Sequence, residues 1–254
     1  MDVLRRDFLP SDLETALRAS AISGAVSVQA RQSLEETYWL LDMAGTHPFV
    51  HGIVGWVPLT APRLDEILEP LAADPKLVGV RHVLQDEPDN LLMEDSRFNA
   101  GVSLLSRFNL VYDILIFERH LPQAIAFVDR HPNQRFVLDH LAKPRAAARE
   151  MEPWRSRIRE LARRGNVYCK VSGLVTEADW NGWSAGQLAP YLDAVLEAFS
   201  PRRMMFGSDW PVALLATSYS RWVDTVEAFV SSLSADEQRE IWAATAVEAY
   251  RLTW

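Results

Sequence analysis

Short runs of Val, Ile, Leu and Phe recur along the chain, each followed by a longer stretch with apolar positions at helical spacing. The runs fall at 25–30, 50–59, 77–84, 110–117, 135–141, 166–172 and 203–208. Most are almost continuously apolar, as expected of parallel strands covered on both faces. The patterns Ser11-Asp12-Leu13-Glu14, Ser33-Leu34-Glu35-Glu36, Ser184-Ala185-Gly186-Gln187 and Ser234-Ala235-Asp236-Glu237 match capping boxes and predict helix starts. Pro153 suits a first helical position. No linker, short repeat or low-complexity tract interrupts the alternation, so residues 1–254 are expected to form a single domain.

Strand–helix alternation with short connections implies parallel strands and right-handed crossovers, in a doubly wound open sheet or a closed barrel. Polar residues in or at the ends of the runs favour the barrel. They are Gln29, Arg81, His82, Tyr112, Asp113, Asp139, His140, Lys170, Ser172, Ser208 and Asp209. An open sheet gathers its site at one switch point, whereas every barrel strand aims its carboxyl end at a common mouth. The fold expected is therefore α/β, a TIM-barrel-like (β/α)8 domain. Seven runs are present and a helix at 11–20 precedes the first of them. The chain thus reads as helix 1 followed by strands 2 to 8, with no counterpart of strand 1.

Asp209 is the strongest single candidate, because Met204-Met205-Phe206-Gly207-Ser208-Asp209-Trp210-Pro211 reads as a buried strand that stops at a carboxylate. The bland alternative is a helix cap. His140, preceded by Asp139 and followed by Pro144, marks a turn out of a strand and reads as a site residue. His82 reads equally as a site residue or a hydrogen-bonded core histidine. His47, His51 and His131 lie before or at strand starts and read as structural, and His120 as a capping group. Trp180, Trp183 and Trp210 could form flat walls for a small cyclic ligand or simply pack the core.

Composition narrows the class. Hydrophobic residues make up 48% and charged residues 24%, values of a globular chain with a sizeable core. A net charge of -8 argues against nonspecific nucleic-acid binding and adhesion to anionic lipid. The one cysteine, Cys169, excludes an internal disulfide and metal sites built on paired cysteines. No apolar run has membrane-spanning length and the N-terminus lacks the apolar core of a signal peptide, so a cytoplasmic protein is expected.

Val137-Leu138-Asp139-His140-Leu141-Ala142-Lys143-Pro144 resembles the sixth-strand motif of the amidohydrolase-2 group of the amidohydrolase superfamily. Gly207-Ser208-Asp209-Trp210-Pro211 resembles its eighth-strand motif. Gly79-Val80-Arg81-His82 and Cys169-Lys170-Val171-Ser172-Gly173-Leu174 resemble the fourth- and seventh-strand segments of its sugar-lactonase branch, of the L-fuconolactonase and L-rhamnonolactonase kind. The resemblance runs through nearly the whole chain. It implies a metal-dependent-hydrolase barrel that opens a sugar-acid lactone to the free acid with water. Asp209 would be the general base and His140 would polarise the carbonyl or bind a metal. Arg81 and His82 would hold the lactone oxygens. Tyr112, Asp113, Lys170, Ser172 and Trp210 would contact the sugar.

The family's first strand carries a His-x-His pair, and no His-x-His occurs in this sequence. Val3-Leu4-Arg5-Arg6-Asp7-Phe8-Leu9-Pro10 resembles the segment immediately after that strand. A divalent metal, zinc or similar, is therefore expected at most as a weakly held ion on His140 and Asp209, with no organic cofactor. The implied partner is a small sugar lactone, and an oligomer is compatible with the sequence. The alternatives are another hydrolase or a decarboxylase of the same superfamily, or a catalytically impaired truncated barrel.

Overall fold

The structure is a computed structural model that describes residues 2–87 and 91–253. All seven apolar runs form strands: β1 (Ala25–Val28), β2 (Val50–Gly55), β3 (Leu77–His82), β4 (Val111–Ile114), β5 (Phe136–Leu138), β6 (Val167–Val171) and β7 (Met204–Phe206). They make one parallel sheet in the order β1-β2-β3-β4-β5-β6-β7. A doubly wound sheet must reverse strand order at its switch point, and this one never does. Its chain path is that of a curled TIM-barrel-like sheet, with β1 and β7 as edges and seven strands described.

The longer helices are α1 (Pro10–Ala19), α2 (Leu34–Thr46), α3 (Leu64–Ala72), α4 (Ser96–Leu105), α5 (Leu121–Asp129), α6 (Trp154–Ala162), α7 (Ala185–Phe199) and α8 (Tyr219–Val230). The short α9 (Ala235–Arg239) and α10 (Thr245–Tyr250) come after them. No helix among the described residues is long and apolar enough to cross a membrane.

Local sequence explains the helix starts. Ser33 and Ser184 accept the amides of Glu36 and Gln187, and Ser234 forms a full reciprocal box with Glu237. Ser11 does not cap α1, contrary to the sequence pattern. Pro10 takes the first turn, where its missing N–H costs nothing, so Leu9 becomes the cap residue and Asp12 accepts its amide at 2.9 Å. Pro153 likewise lies one residue outside α6.

Two apolar layers sandwich the sheet. The outer layer packs Ile53, Val80, Tyr112, Ile114, Leu138, Cys169, Val171 and Met204 against helix residues such as Leu68, Phe127, Ile158 and Leu192. The inner layer joins Val54, Val78, Val111, Val137, Tyr168 and Met205 with Ala249 and Tyr250 of α10. Side chains alternate across a strand, so the next inward positions along β4, β5 and β6 are Asp113, Asp139 and Lys170. A bulge in β3, where Ile53 pairs Leu77 and Val54 pairs Gly79, brings Arg81 into the same level. The interior is thus stacked: an apolar floor closed by α10, a charged layer above it, and the mouth at the strand carboxyl ends.

Candidate active site

The charged layer consists of two cations and two carboxylates. Lys170 Nζ donates to Asp113 Oδ2 at 2.9 Å and to Asp139 Oδ1 at 2.5 Å. Arg81 donates to Asp139 Oδ2 at 2.8 Å and to the backbone and side-chain oxygens of Gln29. The Tyr250 hydroxyl donates to Asp113 at 2.8 Å. Both carboxylates are fully buried. Burial pushes Asp113 up to about 6, against the pull of Lys170. Burial would raise Asp139 too, but the charges of Lys170 and Arg81 outweigh it and hold this carboxyl well below its usual range. Burial opposes the Lys170 charge, and the two carboxylates overcome it, keeping the ammonium protonated.

At the mouth, His140 Nε2 faces Asp209 Oδ1 across 3.6 Å, beyond a hydrogen bond but well within charge range. The other ring nitrogen of His140 is fixed by Ser172 Oγ at 2.8 Å. Burial lowers the His140 pKa more than Asp209 and Asp139 raise it, so the imidazole is neutral at pH 7.

The backbone holding these groups is unusual. His140, Leu141, Ala142 and Lys143 have φ of 53, 55, 56 and 49°, a left-handed turn without a glycine. Each such residue costs about 1–2 kcal/mol. Asp209 is also left-handed, at φ 53°. Left-handed backbone at both of the residues that face each other points to function. Asp209 is not a helix cap: the turn after it, Val212–Leu215, begins at Pro211 with no side-chain cap bond.

Two glycines make the approach of these segments possible. A Cβ on Gly207 would lie 2.9 Å from Lys170 Cγ and Ser172 Cβ. Gly173 has φ +63°, and a Cβ there would sit 2.6 Å from His140 Cγ. Gly173→Ala is therefore expected to lose about 1–3 kcal/mol of stability. It should also displace the imidazole and reduce turnover, which thermal melting and rate assays on one preparation would check.

Several sequence expectations need correction. Tyr112 does not open on the mouth. It points outward and is buried against Phe98, Phe127 and Phe136. His82 also lies on the outer face: its Nδ1 accepts from Trp56 Nε1 at 3.2 Å and its Nε2 meets Glu87 at 2.7 Å. Asp113 is sealed inside the charged layer, with both oxygens taken by Lys170 and Tyr250. Arg81 and Lys170 are nearly buried and ion-paired below the mouth. Ser172 serves His140. Trp210 stacks edge-on with Phe8 at 5.3 Å, beside Asp209. Trp183 is core, donating to the Ala216 carbonyl, whereas Trp180 is partly exposed.

His131 is held by Ser103 and Asn99, His47 by Met43 and Thr46, and the His120 ring accepts the Phe117 amide. Sequence reasoning missed the seal made by Tyr250, whose hydroxyl donates to both oxygens of Asp113.

The donors do not fit a held metal. His140 and Asp209 are two potential ligands, and no three His, Cys, Asp or Glu side chains converge among the described residues. A catalytic zinc takes about three protein ligands.

Known proteins match the chain over nearly its whole length. The family model described as "Amidohydrolase" matches residues 2–252. The chain is 44% identical to L-fucono-1,5-lactonase of Burkholderia multivorans, over 99% of this chain and 88% of that protein. It is 37% identical to L-fucono-1,5-lactonase of Burkholderia ambifaria, over the same shares of the two chains. A crystal structure of an amidohydrolase from Burkholderia multivorans with bound zinc superposes with TM-score 0.94 at 43% identity, covering 100% of this chain and 92% of that one.

Proposed function

The chain belongs to the amidohydrolase family, and from that premise we propose that it is a lactonase opening sugar-acid lactones of the L-fuconolactone type. The observation that carries the reading is Asp209: a strained, partly exposed carboxylate facing a fixed neutral imidazole at the carboxyl end of the sheet.

In this mechanism a water lies between Asp209 and the lactone carbonyl. Asp209 takes one proton as the water oxygen bonds to the carbonyl carbon. Negative charge develops on the carbonyl oxygen, and an N–H of His140 can donate to it. Ser172 holds the ring in place and the left-handed turn of 140–143 aims it. The tetrahedral centre collapses, the bond to the ring oxygen breaks, and Asp209 returns its proton to the departing alkoxide. The product is an open-chain aldonic acid, which ionises at neutral pH. In the family a divalent metal can assist such a step; here the two-ligand set assigns it no part. Arg81 and Lys170 act from below by fixing Asp139, the residue before His140.

The test is a set of 1,5- and 1,4-aldonolactones offered to the purified chain, with acid release monitored by a pH indicator. Opening of 6-deoxy-hexonolactones above the spontaneous rate is expected. Acid release from none of them would remove the lactonase reading.

A further inference from the structure

Ser172 is sealed from solvent, and its hydroxyl has one hydrogen-bond partner among the described residues, Nδ1 of His140 at 2.8 Å. A serine hydroxyl carries one hydrogen, and a buried donor left without an acceptor costs about 1–3 kcal/mol. The Ser172 hydrogen has only Nδ1 to go to. A ring nitrogen that accepts a hydrogen bond carries no hydrogen, so in the neutral imidazole the proton sits on Nε2.

The opposite edge of the ring gives the same answer from a separate contact. Nε2 lies 3.6 Å from Asp209 Oδ1. An N–H dipole aimed at a carboxylate is favourable, and a lone pair aimed at it is not. The other tautomer would therefore be opposed twice, by a lone pair facing Asp209 and by a Ser172 hydrogen with no acceptor. A doubly protonated ring would strand the same hydrogen, and burial disfavours its charge. Two glycines leave room for this one contact. A Cβ on Gly173 would lie 2.7 Å from Nδ1 of His140, and a Cβ on Gly207 would lie 3.1 Å from the Ser172 Oγ.

We propose that Ser172 is a positioning residue that fixes His140 in the Nε2–H tautomer, so that the imidazole meets the substrate only as a donor and Asp209 alone takes the proton from water. The catalytic half of this assignment rests on the lactonase reading. With its hydrogen on Nε2, the ring is aimed at the carbonyl oxygen before charge develops there, and no reorganisation is needed at the moment of reaction. In the other tautomer, Nε2 would be a bare acceptor that repels the growing negative charge and competes with Asp209 for the proton of water. The Nε2 hydrogen stays on nitrogen throughout; the only proton that moves leaves the water for Asp209 and then passes to the departing alkoxide.

The test begins without substrate. In the 15N-histidine-labelled chain above neutral pH, long-range proton–nitrogen correlations show which imidazole nitrogen carries hydrogen, and the His140 signals are identified by their absence in His140→Gln. Wild type is expected to show Nε2 protonated and Nδ1 bare. Ser172→Ala should mix the two tautomers and lower kcat on a 1,5-aldonolactone about 10-fold, with KM little changed. That is less than the roughly 10²–10³-fold cost of losing an oxyanion donor altogether, because Asp209 still favours Nε2–H. A packing role for Ser172 would lower the melting temperature and leave the tautomer of the folded protein where it was. Nδ1 protonated in wild type, or wild-type nitrogen signals in Ser172→Ala, overturns the assignment. Mixed tautomers with an unchanged kcat overturn the donor role of His140. If wild type shows the expected tautomer and opens no lactone, the tautomer assignment stands and the lactonase reading alone falls.

Discussion

Asp209→Asn is expected to lower lactone opening by about 10²-fold or more, the usual scale for removing a positioned base. The amide keeps the shape and the left-handed backbone, since asparagine tolerates that region better than most residues. What it removes is the ability to take a proton from water and return it to the alkoxide. The effect should fall mainly on kcat, because Asp209 acts on the reacting atoms. Fold stability should change little, as the carboxylate is hydrogen-bonded to nothing among the described residues and is separated from His140 by 3.6 Å. Steady-state rates on a 1,5-aldonolactone, with a melting curve as control, measure both quantities. A variant with near-normal kcat would take Asp209 out of the mechanism. A variant that melts far lower would make it a structural residue.

The strands were legible because buried parallel strands leave nearly continuous apolar runs, and each of the seven runs contains a strand. Asp209 and His140 stand out in the sequence because a carboxylate or imidazole at the end of such a run has no cheap structural explanation, and the structure brings the two within 3.6 Å of each other. Adjacent pairs were where the reading failed. Arg81–His82 and Tyr112–Asp113 cannot both face the mouth, since neighbouring side chains point to opposite faces of the sheet. In each pair one residue turns inward to the charged layer and the other outward to the helices. Long-range pairing was invisible as well. Nothing local to Asp113 announces that Tyr250 closes over it from the end of α10. The left-handed turn at 140–143 carries no glycine to mark it, and the strain is sustained by Ser172, Gly173 and the buried surroundings of Leu141 and Ala142.

The charged layer makes the other large prediction. Lys170→Met is expected to destabilise the fold by about 3–5 kcal/mol, the scale for removing one partner of a buried ion pair. Methionine replaces the stem but leaves Asp113 and Asp139 without their shared cation. Asp139 retains Arg81, whereas Asp113 retains only the Tyr250 hydroxyl. The two carboxylates therefore respond differently to pH. Asp113 is already raised to about 6 by burial with Lys170 present, so losing that cation raises it further. A carboxyl with a raised folded-state pKa favours the fold while protonated, and that contribution is lost as pH rises through its folded pKa. The deficit of Lys170→Met relative to wild type should thus be largest in mildly alkaline solution and shrink as pH falls to 6 and below. Adding Asp113→Asn, which removes the stranded charge, should recover part of the loss at neutral pH and flatten the pH dependence. Urea unfolding of the three proteins from pH 5 to 8 measures this. A deficit that is small, or independent of pH, would show that water rather than Lys170 balances these carboxylates, and that the layer beneath the mouth is wetter than its geometry implies.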